Sequence, residues 1–138
     1  MNFAKQYIDA WNSLDEETYV KQFAPNSAYT DVTMELSYVG EAEIRRMFRG
    51  TMKYYVDPQF IYVNGFSDPR HYMVEWVSIS KVDGKEYKTR IVSVGDLDAQ
   101  GRIVENRDYW NPQTVPNGDH NNLAVEAAAF KKHWANKL

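Results

Sequence analysis

The chain has 138 residues, 43% of them hydrophobic and 25% charged, and its 16 Lys and Arg against 19 Asp and Glu give a formal net charge of -3. That is the composition of one soluble globular domain with a sizeable core; it excludes disorder, and the charge balance excludes nucleic-acid binding through a general basic surface. The absence of cysteine excludes disulfides, thiol nucleophiles and cysteine-ligated metals. There is no run of 18 apolar residues, and the N-terminal MNFAKQYIDAW lacks the uninterrupted apolar stretch of a signal peptide, so a cytoplasmic protein with no membrane partner is expected. Ten Tyr, six Phe and four Trp are more than a plain core of this size needs, and suit a lined pocket or an interface.

Phe3, Ala4, Tyr7, Ile8 and Trp11 recur at helical spacing, which predicts an amphipathic helix ending near Asn12. Asp15 caps a second short helix carrying Tyr19, Val20 and Phe23 and stopped by Pro25-Asn26, with Ser13 and Glu16 as a competing capping box. Ser27 to Thr33 alternates as a strand. After a loop, Gly40 introduces a third helix with Ile44, Met47, Phe48, Met52 and Tyr55 on its apolar side.

From Pro58 the period changes. Strands are predicted over Gln59 to Val63, Tyr72 to Val82, Lys85 to Leu97 and Arg102 to Trp110, with turns at Asn64-Gly65, Asp83-Gly84 and Asp98 to Gly101. A loose Pro, Gly, Asn and Asp-rich loop follows, then a C-terminal helix with Leu123, Ala127, Phe130 and Trp134 on one stripe. The expected fold is α+β: a curved antiparallel sheet forming a cone, N-terminal helices over its concave face, and a C-terminal helix. Residues 1–112 form the domain and 113–138 a loop and helix appended to it.

The strings YIDAWNSLDEETYVKQFAPNSAYTD, YVGEAEIRRMF and GRIVENRDYWNP resemble the nuclear transport factor 2-like superfamily, and within it the SnoaL-like polyketide cyclases and the ketosteroid isomerase-like group. The resemblance covers residues 3 to 112 and implies the cone just described. For function it implies a choice among isomerases, cyclases, dehydratases, epoxide hydrolases and non-catalytic binding or dimerisation modules, so the site must decide.

Asp31 shares a strand face with Tyr29, and the comparison with steroid isomerases puts it at their general-base carboxylate and Tyr7 at their oxyanion-hole phenol. A carboxylate opposite a phenol is apparatus for moving a proton α to a carbonyl. The second oxyanion donor of that group, a protonated carboxylic acid, aligns with Ser93, a departure from the pattern. Asp108 of Arg107-Asp108-Tyr109 matches the family's pocket-facing acid on the last strand, where Val104, Asn106, Asp108 and Trp110 are expected on one face. The Arg-x-Asp pair of limonene epoxide hydrolases aligns with Trp76 and Ser78, so that mechanism is not expected.

Asp31, Asp108 and Tyr7 are therefore the candidate catalytic residues, and Tyr29, Trp76, Ser78, Ser93, Trp11, Asn106 and Trp110 the candidate substrate-binding ones. Structural readings stand beside these: Asp31 paired with a nearby loop, Tyr7 and Trp76 as core, Asp108 as a buried tie. His71, His120 and His133 have no ligand spacing and no GxGxxG or Walker-type loop occurs, so no metal and no cofactor are expected. Two functions are carried forward: acid-base chemistry on a small hydrophobic carbonyl compound, and a non-catalytic small-molecule-binding or dimerisation module. A homodimer is expected in either case, through an outer sheet face carrying Met73, Val77, Ile79, Val92 and Val94.

Overall fold

A computed structural model of the chain describes residues 2–82 and 84–111; the expected C-terminal helix and the division at residue 112 lie outside the described residues. Helix α1 is Phe3–Asn12, capped by the Asn2 side chain, which accepts the Ala4 amide at 3.1 Å. Its apolar stripe, Phe3, Ala4, Tyr7, Ile8 and Trp11, is buried. Helix α2, Glu16–Val20, starts at Asp15, whose carboxylate accepts the Thr18 amide at 2.9 Å. The rival cap is settled too: the Ser13 hydroxyl donates instead to the Ala10 carbonyl at 2.6 Å.

Six strands follow or interleave: β1 Phe23–Asp31, β2 Leu36–Val39, β3 Val56–Ser67, β4 His71–Val82, β5 Lys85–Leu97 and β6 Ile103–Trp110, with helix α3, Glu41–Tyr54, between β2 and β3. They form one curved, unclosed sheet in the order β2-β1-β6-β5-β4-β3. The run from β3 to β6 is the antiparallel meander expected. β1 joins it in parallel beside β6, and β2 pairs antiparallel with β1.

Four local expectations are corrected. Phe23 opens β1 and does not extend α2; Pro25 is tolerated inside β1 because the pairing with β6 shifts register between Phe23 and Ala28. The stretch read as a loop before Gly40 contains β2. Asn64-Gly65 is not a turn: β3 bulges between Tyr62 and Asn64 and runs on to Ser67. A Cβ on Gly65 would lie 2.7 Å from the Met73 carbonyl oxygen and 2.8 Å from Ala4 Cβ, so glycine there serves the close approach of α1 to the sheet. The turn comes at Asp68, whose Oδ1 accepts the Arg70 and His71 amides at 2.7 Å each. Last, Ile103 is buried and Val104 exposed, the reverse of the expected alternation, because the β5–β6 register shifts between Asp96 and Leu97. Beyond that shift the parity of Asn106, Asp108 and Trp110 is as expected.

The core fills the concave side. Trp11 stacks on Phe48 and Trp76 at 5.7 and 6.2 Å between ring centroids, and tilts against Tyr19 and Phe60 at 4.3 and 5.2 Å. Such rings each bury 150–250 Å², roughly, and their contacts tie α1, α2 and α3 to β3 and β4. Among the described residues no helix is long and apolar enough to cross a membrane.

Candidate active site

β1 and β6 lie side by side in parallel, with Tyr29 opposite Asn106 and Asp31 opposite Asp108. Because side chains alternate along a strand, all four of these residues project to the same, inner face. On the other flank of β6, Ser93 of β5 is the partner of Asp108. The topology thus brings Asp31, Asp108, Tyr29, Asn106 and Ser93 into one block on three adjacent strands.

Asp108 is 4% exposed. Its Oδ1 accepts the Ser93 hydroxyl at 2.5 Å and the Asn106 amide at 2.9 Å, and its Oδ2 accepts the Tyr29 hydroxyl. A further layer orients these donors: Ser93 Oγ accepts the Trp76 indole N–H at 2.9 Å, and Asn106 Oδ1 accepts the Tyr72 hydroxyl at 2.5 Å. Burial raises the Asp108 carboxyl above the usual carboxylate range, and the hydrogen bonds from Ser93, Tyr29 and Asn106 oppose it.

Asp31 has different surroundings. It is only partly buried, at the end of β1, where its Oδ1 accepts the Met34 amide at 3.0 Å and the Trp110 indole N–H at 2.9 Å. Desolvation pushes it up to about 6; the Met34 amide opposes this and the neighbouring Asp108 charge adds to it. The Asp31 charge in turn helps burial to raise the phenols of Tyr38 and Tyr55. Both of these neighbours escaped sequence reasoning. Tyr38 sits in β2, in the stretch taken for a loop, and Tyr55 was read only as part of a core stripe.

Tyr7 lies deeper, at 0% exposure, with its ring 5.6 Å from Tyr72 and 6.3 Å from Tyr19. Trp11, Trp76, Ser93 and Asn106 are likewise enclosed in the core, Ser78 and Tyr29 are nearly so, and Trp110 is partly exposed beside Asp31. Tyr72, which fixes Asn106, was a third functional neighbour missed; its signal was its place on the same strand face as Trp76. A groove of about 330 Å³ between Asp57, Gln59, Ile79, Ser80, Lys81, Glu86 and Lys88 includes neither Asp31 nor Asp108. Among the described residues no group of three His, Cys, Asp or Glu side chains converges as a metal site would require.

The family model of the SnoaL-like domain matches residues 4–106. The chain belongs to the SnoaL-like domain family. Solved structures agree on the fold, that of the nuclear transport factor 2-like cone. A protein of ketosteroid isomerase-like fold from Catenulispora acidiphila, solved in complex with trimethylamine, superposes with a TM-score of 0.73 at 15% identity, over 80% of this chain and 86% of that one. SalBIII, an epoxide hydrolase/cyclase-like enzyme with a role in pyran ring formation in the polyether salinomycin, gives 0.71 at 18% identity, over 80% and 89%. A candidate SnoaL-like polyketide cyclase from Shewanella denitrificans gives 0.71 at 19% identity, again over 80% and 89%. No curated protein matches by sequence. At these identities the SnoaL-like chain shares a fold with its neighbours, and its chemistry has to come from its own side chains.

Proposed function

We propose that this SnoaL-like protein is an acid-base enzyme acting on a small, largely apolar, carbonyl-bearing molecule, as an isomerase, an aldol-type cyclase or a dehydratase, with Asp31 as the proton-transferring base. The observation that carries the reading is the division of labour between adjacent acids. The oxygens of Asp108 are engaged by Ser93, Asn106 and Tyr29, whereas Asp31 stays partly open in an aromatic setting. A carboxylate raised to about 6 is ionised at neutral pH yet more basic than an exposed one, the combination a general base needs.

In the proposed step the Asp31 carboxylate takes the proton from the carbon α to the carbonyl. The electron pair of that C–H bond becomes the enolate, whose oxygen takes a hydrogen bond from a phenol, Tyr7 in the first instance. Asp31 then returns the proton at another carbon, giving isomerisation, or the enolate carbon attacks an internal carbonyl carbon, whose π electrons move to its oxygen and take the proton from Asp31, giving ring closure. Asp108 holds Tyr29 and fixes the charge beside the base.

The test needs no knowledge of the natural substrate. Small cyclic enones and 1,3-diketones are incubated with the protein in D2O, and α-proton exchange is followed by NMR. Exchange accelerated by the protein and lost in Asp31→Asn supports the enzyme. No acceleration over a broad panel favours the second reading, a non-catalytic small-molecule-binding or dimerisation module, and the tight aromatic packing around Tyr7, Trp11 and Trp76 speaks for the dimerisation form of it. On either reading we propose a homodimer joined through the outer face of the sheet, in the cytoplasm.

A further inference from the structure

With Asp31 opposite Asp108 in the parallel pair β1 and β6, Thr33 falls at the height of Trp110. By then β1 has ended, at Asp31, and residues 32–35 turn back toward β2, the Glu35 amide donating to the Val32 carbonyl at 3.3 Å. The backbone ladder reaches Val32, whose amide donates to the Asp108 carbonyl at 2.9 Å. One rung further on, a side chain takes over. The Thr33 hydroxyl donates to the Trp110 carbonyl at 2.6 Å and accepts the Trp110 amide at 3.0 Å. A hydroxyl can meet an N–H and a C=O through one atom, which neither a methyl nor an ammonium group can do.

What Thr33 grips bears on the base. Trp110 is the last residue of β6, and its indole N–H donates to Asp31 Oδ1 at 2.9 Å. The Met34 amide donates to the same oxygen at 3.0 Å. Asp31 Oδ2 takes part in neither bond. Asp31, Thr33 and Trp110 thus close a ring of contacts: the chain leads from Asp31 to Thr33, the hydroxyl fixes the backbone of Trp110, and the indole returns to the carboxyl. The turn holds Asp31 twice, directly through Met34 and indirectly through Thr33. Hydrogen bonds weaken steeply with misalignment, so a small rotation of the strand end would carry the indole N–H off its acceptor.

We propose that Thr33 is a positioning residue for the base: by pinning the backbone of Trp110 it keeps the indole on Asp31 Oδ1 and leaves Oδ2 as the oxygen that takes the substrate proton. The inference rests on the acid-base reading above and deepens it, since it gives the two oxygens of Asp31 different tasks. A carboxylate free to turn about its Cβ–Cγ bond offers either oxygen in many directions. One whose Oδ1 is held by two N–H donors offers Oδ2 in one direction, and that orientation is in place before substrate arrives. The indole bond also favours the charged form of Asp31, against the burial that raises it. The Thr33 backbone amide acts in the same sense and is kept in any side-chain variant. The ionisable groups around Asp31 are Asp108 on β6, whose charge raises it, and Tyr38 on β2 and Tyr55 at the end of α3, whose phenols feel its charge. The Thr33 hydroxyl bonds to none of these, so its influence on the base passes through Trp110.

The experiment compares Thr33→Val, which keeps the shape and loses the hydroxyl, with Thr33→Ser, which keeps the hydroxyl, in the full chain. The first readout needs no substrate: the indole N–H resonance of Trp110, identified by its absence from Trp110→Phe, is followed against pH in the 15N-labelled protein. In the wild type it should shift as Asp31 titrates near pH 6, and in Asp31→Asn it should not. Thr33→Val is expected to lose that response and Thr33→Ser to keep it. The second readout is α-proton exchange. In Thr33→Val kcat should fall about tenfold with KM little changed, and the bend in the pH profile should move to higher pH, because the indole bond that favours the carboxylate is gone. Thr33→Ser should recover most of the rate and the original bend. An indole response identical in wild type and Thr33→Val overturns the proposal, and loss of exchange in Asp31→Asn would then leave the base standing. Full exchange with an unmoved bend in Thr33→Val also overturns it. If Thr33→Val does not fold, Trp110→Phe decides: it removes the indole N–H while keeping the backbone that Thr33 holds, and an unmoved bend there sinks the proposal. Absence of exchange in the wild type would sink the acid-base reading, and the indole response would still decide whether Thr33 sets the Asp31 carboxyl.

Discussion

Asp31 and Asp108 occupy one register position across the parallel pair β1 and β6, and their carboxyl groups point to the same side of the sheet. One is bound by hydroxyl and amide donors inside the core; the other meets a backbone amide and an indole at the rim. Two like groups placed side by side in unlike surroundings are driven to different protonation behaviour, and that asymmetry is what the predictions below exploit.

Replacing Asp31 by Asn keeps an oxygen that can accept from Met34 and Trp110 and removes the basicity. The α-proton exchange rate should fall on the order of a hundredfold or more while the near-ultraviolet circular dichroism stays that of the wild type. A folded Asp31→Asn protein at full rate would transfer the base to another residue.

The raised Asp31 carboxyl also gives activity and stability opposite pH trends. Activity needs the carboxylate, so kcat/KM should rise with pH through about 6. Stability responds to the difference between that value and the 3.8 of an unperturbed Asp. Between the two the native state binds more protons than the unfolded chain, so this group's contribution falls as pH rises from about 4 to about 6 and is flat above. Asn carries no such penalty. Urea titrations at neutral pH should find Asp31→Asn more stable than the wild type by about 2 kcal/mol, a figure lowered to allow for partial exposure, with the gap closing toward pH 4. A variant less stable at pH 7 would contradict the burial argument.

The local periodicities in the sequence were enough for α1, α3 and the meander, because each depends on neighbours within a few residues. Gly84 and Gly101, at φ of 79° and 76°, sit in the turns their positions suggested. Asn64-Gly65 misled because its glycine answers to a contact with Ala4 that is distant in sequence. The site divides along the same line. That Tyr29 and Asp31 share a face follows from strand parity alone. That Asp31 stands beside Asp108 depends on β1 choosing β6, a pairing for which the sequence carries no local signal. That Tyr19 packs its ring against Tyr7 and Trp11 is a fact of three-dimensional packing that no spacing encodes.

Gly95 supports the site from behind. A Cβ there would run into the Tyr72 ring, and that ring carries the hydroxyl holding Asn106 against Asp108. Gly95→Ala should therefore destabilise the fold by about 2 to 4 kcal/mol, more than a surface glycine substitution would. Gly84→Ala, with open space around the position but positive φ, is the milder control, at about 1 kcal/mol. Thermal melts that rank the two the other way round would refute the contact.

The outer face of the sheet presents Ile61, Phe66, Met73 and Tyr109 as exposed apolar side chains around the partly buried Val77, Val92 and Val94. These apolar side chains, interspersed with Glu75, Arg90 and Arg107 on the same face, suit a second copy of the chain. Light scattering at micromolar concentration should give twice the chain mass of 16.1 kDa, and Met73→Glu should return it to a monomer. A wild-type monomer under those conditions ends the dimer proposal.

Ser93 joins Trp76 to Asp108, and its removal has two separable consequences. Ser93→Ala leaves a buried indole N–H without its acceptor and Asp108 Oδ1 without its closest donor, which should cost about 2 to 4 kcal/mol in total. It also removes the largest of the influences that lower the Asp108 carboxyl, so Asp108 retains its proton to higher pH. A neutral Asp108 no longer repels the Asp31 charge, and that repulsion is one of the causes holding Asp31 near 6. The bend in the pH profile of α-proton exchange should accordingly move to lower pH in Ser93→Ala, although the mutation touches Asp31 nowhere. Asp108→Asn, which removes the same charge outright, should move the bend in the same direction and further. A bend that stays where it is in both variants would show that the two carboxyl groups do not communicate, and the assignment of Asp108 as the partner that tunes the base would fall with it.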